Sequence, residues 1–185
     1  MERRRTWILK TGLWLGTSAL LIGCASSPPR RLNANGQACF SLQRPRRLIC
    51  SDAPAPSVEV EREIRRFDAT ANALTVYVVR RRFGDTGGAV LMRIDGDASV
   101  TVPPFSIARI RLAPGSHQFG LSRHGEDSTL QLKGLAGEVQ FVEMRRTWSW
   151  HARYDWRTVE QDDLARRSLD SRVIVDLDLR RSPSS

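Results

Sequence analysis

From Leu74 the chain falls into a period of two. Leu74-Thr75-Val76-Tyr77-Val78-Val79 is β-rich and apolar on both faces, the pattern of a central strand, and Gly84, Gly87 and Gly88 then interrupt the chain. Val90, Met92 and Ile94 alternate around Arg93, and Asp95-Gly96 supplies the chemistry of a tight hairpin. After Pro103-Pro104, Ala108, Ile110 and Leu112 alternate with Arg109 and Arg111, which predicts one core face and one charged face. Ala113-Pro114-Gly115-Ser116 carries type II turn chemistry, and His117, Phe119 and Leu121 continue as a returning strand. Leu130 and Leu132, then Val139 to Met144, predict two more strands separated by Gly134 and Gly137. Val173, Val175, Leu177 and Leu179 alternate with Ile174, Asp176, Asp178 and Arg180, the cleanest strand pattern of all.

Two stretches have helical spacing instead. Ser57 is placed to cap a short helix whose Val60, Ile64 and Phe67 share a face, with Glu61 and Arg65 one turn apart on another. Its expected role is to cover a sheet. Thr158 and Gln161 are spaced as a capping box, with Glu160, Asp162 and Asp163 in the first turn and Arg166 and Arg167 in the last. These elements predict a mainly β protein, a small antiparallel β-sandwich with one or two short peripheral helices.

Upstream the pattern changes. Arg3, Arg4, Arg5 and Lys10 precede an apolar run from Thr11 to Gly23, the charge order of an export signal. As a helix that run reaches about 20 Å at about 1.5 Å per residue, short of the roughly 30 Å of a bilayer core. A cleaved signal fits better than a permanent span. The run ends in Leu21-Ile22-Gly23-Cys24, which resembles the lipobox of bacterial lipoproteins. The resemblance implies that Cys24 receives a diacylglyceryl thioether and becomes the new N-terminus, and Ala25 after it, rather than aspartate, favours the outer membrane. Several acyl chains together give lasting attachment where one is marginal. An ordinary signal or an uncleaved anchor with an incidental cysteine is the alternative.

These segments divide the chain into a signal peptide, 1–23, a lipidated tether with a disulfide loop, 24–57, a sandwich domain, 58–180, and a loose tail, 181–185. The 185 residues, 41% of them apolar, suit one domain plus tails. Ser26 to Gly36 is polar and proline-bearing, as a tether should be, and Ser51 to Ser57 repeats that punctuation as a second linker. With Cys24 lipidated, Cys39 and Cys50 remain, and in an oxidising periplasm they are a natural pair. The residues between them form two extended arms around Pro45, and closing a loop of this size stabilises by about 3 kcal/mol.

The formal net charge is +9. Loss of 1–23 removes four cations and one anion, leaving +6, almost all of it arginine. Arginine grips carboxylates and phosphates in a fork, which suits an anionic glycan or lipid or an acidic envelope protein, although a solvated surface is the simpler account of the charge. Nucleic acid is a poor partner for an exported chain. The runs Arg80-Arg81-Arg82 and Arg145-Arg146 form one basic patch if their strands pair, or else charged edges that discourage strand addition.

Leu74-Thr75-Val76-Tyr77-Val78-Val79-Arg80, Ile94-Asp95-Gly96 and Leu112-Ala113-Pro114-Gly115-Ser116-His117 together resemble a family of bacterial lipoproteins built on an uncharacterised β-sandwich domain. They are also similar to PEGA-type surface-layer modules, which share the Asp-Gly and Pro-Gly-x-His signposts. The resemblance spans roughly residues 61–179 and implies an immunoglobulin-like or carbohydrate-binding-like sandwich. It brings no catalytic residues and no cofactor.

Trp148-Ser149-Trp150-His151-Ala152-Arg153-Tyr154-Asp155-Trp156-Arg157 holds three of the five tryptophans, so it is the candidate binding stretch. Trp148, Trp150, Arg153, Tyr154, Trp156 and Arg157 are its candidate residues: in a strand Trp148 and Trp150 share a face, and aromatics flanked by arginine stack sugars or anchor a partner. The same rings equally suit capping of an open sandwich end. His117, His124 and His151 have no metal-ligand spacing, no GxSxG elbow is present, and His117 is expected to pack or to bond a turn carbonyl. The expectation is a non-enzymatic lipoprotein that binds an envelope component or helps hold an assembly together; the competing class is an envelope hydrolase acting on peptidoglycan or lipid.

Overall fold

Among the described residues, three β-sheets and two helices are built in the order β1 (Gln37–Leu42), β2 (Arg47–Pro54), α1 (Val58–Ile64), β3 (Leu74–Arg80), β4 (Val90–Ile94), β5 (Ala98–Val102), β6 (Ser106–Leu112), β7 (Gly115–Arg123), β8 (Glu126–Gly134), β9 (Val139–Thr147), β10 (Arg153–Thr158), α2 (Gln161–Ser168) and β11 (Arg172–Asp178). The computed structural model describes residues 32–42, 47–80, 85, 88–123, 126–147 and 153–180. The signal segment, Cys24, the Pro45 turn and the tail 181–185 lie outside the described residues.

A five-stranded sheet, β10-β9-β3-β6-β11, packs on a four-stranded sheet, β5-β4-β7-β8. The predicted β-sandwich is therefore the fold. The smaller sheet is wholly antiparallel, whereas the larger one contains two parallel pairs, β3 with β9 and β6 with β11. Both helices lie on the far face of the larger sheet, so the molecule has three layers and two cores. Leu74, Val76, Val78, Ile110, Phe119 and Met144 fill the space between the sheets. Ile64, Phe67, Tyr77, Val79, Phe141 and Leu164 fill the space under the helices. That double burial explains why every residue of β3 is buried.

α1 begins as its sequence predicts: the Ser57 side chain accepts from the Val60 amide, and Arg65 pairs with Glu61 at 2.9 Å. At α2 the capping box does not form. Thr158 ends β10, and Glu160 takes the N-cap position without a side-chain hydrogen bond.

Three strand expectations change in three dimensions. The Asp95-Gly96 turn closes the β4–β5 hairpin as expected, with both residues at positive φ. The Pro114-Gly115 turn, by contrast, does not return β7 beside β6: it carries the chain across to β4, in the opposite sheet. Hydrophobic pattern specifies faces, and two strands of one core can satisfy it from opposite sheets. β11 breaks its apparent alternation with a bulge between Val173 and Val175. Val173 thereby faces the helices while Ile174 and Val175 both face the inter-sheet core. The charged face of β6 is covered: Arg109 is 4% exposed beneath the helix layer.

Cys39 and Cys50 sit opposite each other in the β1–β2 register, with Cα atoms 4.0 Å apart, and form the disulfide. The segment read as a second linker is strand as far as Pro54. The hairpin packs on the sandwich through Ala38, through stacking of Phe40 on Phe105, through the Arg172 side chain donating to the Cys39 carbonyl, and through the Thr101 amide donating to Asp52. It covers one side of the sandwich, where β5 and β11 are the edges.

Candidate functional site

The described part of the aromatic stretch is β10, and alternation divides it. Tyr154, 4% exposed, and Trp156 turn toward the inter-sheet core, where Trp156 meets the Phe119 ring edge to face at 6.0 Å. Arg153 and Arg157 stand exposed on the other face. Trp148 and Trp150 lie outside the described residues. Tyr154 and Trp156 thus do what rings closing a sandwich do, and their exposed neighbours are the two arginines.

Around Tyr154 the structure assembles a charged cluster at one end of the sandwich. Strand alternation puts Arg80 on the same face as Val76 and Val78, so the last residue of β3 points into the core. Its guanidinium is fully buried and grips Asp85 through Nε at 3.0 Å and Nη2 at 3.2 Å. Nη2 also donates to the Gly88 carbonyl at 2.9 Å and to the Tyr154 hydroxyl at 2.7 Å, and Nη1 donates to the Val102 carbonyl. The phenol in turn donates to Asp85 Oδ1 at 2.6 Å and accepts from Arg123 Nη1 at 3.3 Å. Burial pushes the Tyr154 phenol up, opposed by the Arg80 charge and reinforced by its bond to Asp85. Arg80 and Asp85 neutralise each other, and the cluster ties β3, β5, β7 and β10 to the chain at Asp85 and Gly88. Arg80 is thus no part of a basic patch or a solvated edge, and its position two residues beyond Val78 is the signal in the sequence.

A second ionic group lies under the helices. Arg109 forks onto Asp176 at 2.9 and 2.8 Å and reaches Glu63 at 2.7 Å, while Arg111 bonds the same Asp176 at 3.3 Å. These bonds hold the Arg109 guanidinium above its ordinary value despite its burial, with Asp176 the largest cause. β6, β11 and α1 are joined by it. His117 bonds the Ala113 carbonyl at 2.8 Å, as the turn chemistry predicted, and Asp95 at 2.7 Å.

Among the described residues two open surfaces can be traced. A groove of about 560 Å³ separates the β8 edge from β9 and the end of β10, lined by Gln131, Lys133, Gln140, Phe141, Thr158 and Gln161. A smaller depression of about 180 Å³ on the outer face of the small sheet is formed by Arg93, Gln118, Gly120, Ser122, Asp127 and Thr129. Gly120 makes the hollow, since it leaves no side chain between its polar neighbours. Among the described residues no three His, Cys, Asp or Glu side chains gather as metal ligands.

Neither protein-family models nor curated proteins match this chain. The functional reading therefore rests on its own residues.

Proposed function

We propose that this chain is an exported lipoprotein, held by Cys24 in the outer membrane and facing the periplasm, whose sandwich acts as a non-enzymatic binding or envelope-assembly module. The observation that carries it is the Cys39–Cys50 bridge at the threshold of the folded unit, downstream of a basic head, a short apolar run and Leu21-Ile22-Gly23-Cys24. A disulfide of this kind persists in an oxidising compartment and is rare in a reducing one. Binding is favoured over chemistry because the clustered ionisable groups, Arg80 with Asp85 and Tyr154, and Arg109 with Asp176 and Glu63, are spent on one another. The exposed arginines Arg153 and Arg157 and the polar groove present surface suited to an anionic glycan or lipid, or to an envelope protein.

Metabolic labelling with a palmitate analogue tests the anchor. The parent should take up label and fractionate with outer membranes, and Cys24→Ala should lose both properties; labelled Cys24→Ala would overturn the lipoprotein reading. Whole-cell cross-linking tests the module. Trp148→Ala and Trp150→Ala should lose cross-linked partners while keeping the parent circular dichroism, and unchanged partners would sink the aromatic version. Turnover of peptidoglycan or lipid by the purified protein would refute a non-enzymatic role.

A further inference from the structure

The edge of β8 carries a self-complementary pattern. The sandwich has four strand edges, and the β1–β2 hairpin packs against two of them, β5 and β11. The other two, β8 and β10, lie on the opposite side, where they run close to each other without pairing.

Which backbone groups β8 presents there follows from β7. The Asp95 amide donates to the Gln118 carbonyl, and the Gln118 amide donates to the Asp95 carboxylate. Gln118 therefore directs its backbone toward β4, and the odd residues of β7 direct theirs toward β8. In the β7–β8 register His117 faces Leu132, Phe119 faces Leu130 and Leu121 faces Ser128. The even residues of β8 are thus bonded to β7, which leaves Asp127, Thr129, Gln131 and Lys133 with backbone groups aimed off the edge. Gln140 confirms this direction by donating to the Lys133 carbonyl at 2.8 Å from β9. The groove opens along the same edge at Gln131 and Lys133.

We infer that β8 is a homodimer interface, at which two copies of this chain pair their β8 strands antiparallel about a two-fold axis through Leu130. In that register Thr129 lies opposite Gln131 of the second copy, and Asp127 opposite Lys133, each pair twice. Every facing pair is odd with odd, so the outward backbone groups meet once Gln140 gives up the Lys133 carbonyl, and both ends carry opposite charges, a favourable cross-strand arrangement. Leu130 meets itself and Ser128 meets Leu132 on the inner face. Sliding the strands by two residues in either direction separates Asp127 from Lys133. This inference does not depend on the lipoprotein reading or on the identity of any ligand.

Sedimentation equilibrium of the intact purified chain should show a reversible dimer. Asp127 and Lys133 are exposed, so Asp127→Lys or Lys133→Asp alone should weaken it by about tenfold, while the double exchange restores it. Gln131→Pro removes an amide that faces outward and should abolish the dimer while leaving the monomer folded. Thr129→Cys mixed with Gln131→Cys should cross-link across chains, because opposed residues in such a pair stand about 5.5 Å apart. Thr129→Cys with itself, at about 8–9 Å, should not. A chain that stays monomeric, a dimer indifferent to these variants, or equal cross-linking of both cysteine combinations would each overturn the inference.

Discussion

Replacing Arg80 by methionine is the sharpest test of the charged cluster. The change keeps the stem that packs between the sheets and deletes the guanidinium. Asp85, whose side chain is 1% exposed, then loses a two-pronged partner at 3.0 and 3.2 Å. The carbonyls of Gly88 and Val102 lose a donor as well, and the Tyr154 hydroxyl loses its 2.7 Å contact. Removing one member of a buried ion pair costs about 3–5 kcal/mol, chiefly because the other charge stays buried and uncompensated. A domain of this size has a total stability of about 5–15 kcal/mol, so Arg80→Met should move the unfolding midpoint far down the denaturant axis. Arg80→Met with Asp85→Leu removes both charges and should recover to within about 1–2 kcal/mol of the parent. Equilibrium urea unfolding, followed by tryptophan fluorescence and by far-ultraviolet circular dichroism, measures both. A loss below about 1 kcal/mol in the single variant, or a double variant no better than the single, would refute the claim that the pair is buried and mutually dependent.

Reducing the disulfide, or Cys39→Ser with Cys50→Ser, should lower stability by about 3 kcal/mol, since the bridge closes a short loop; an unchanged urea midpoint would contradict it. Arg180, first through its side-chain bond, holds Asp178 down to about 2 from an ordinary 3.8. A carboxylate depressed in the folded state stabilises above its unfolded value and loses that contribution as pH falls toward the folded one. Thermal midpoints measured across that acid window should therefore fall less steeply for Asp178→Asn than for the parent. Both tyrosines, Tyr77 and Tyr154, are pushed up first by burial. Their contribution to stability is complete below the unfolded tyrosine value of 10.0 and fades as pH rises above it. Tyrosinate absorbance should accordingly emerge together with the loss of native circular dichroism, and ionisation in a still-folded protein would be the contrary result.

Much of the fold was legible along the chain. Both helices, the hairpin at Asp95-Gly96 and the cysteine pair follow from local chemistry, because helical spacing, the Ser57 cap of α1, a positive-φ turn and two thiols on facing strands depend on nearby residues. The candidate site was legible only in part. The richness of 148–157 drew attention to β10, yet the structure sends Tyr154 and Trp156 inward and leaves Arg153 and Arg157 outside. Alternation announces that two faces differ without saying which of them another layer will cover.

Local pattern by itself determined the β class, the two helices and the disulfide, because each rests on contacts within a few residues or on one hairpin. Tertiary structure alone decided that β7 belongs to the sheet opposite β6, that Ile174 bulges so that β11 serves two cores, and that Arg80 and Arg109 are buried rather than solvated. An arginine in a strand looks the same in the sequence whether water or a carboxylate lies beyond it. Asp85 and Asp176 lie beyond these two, and long-range packing put them there.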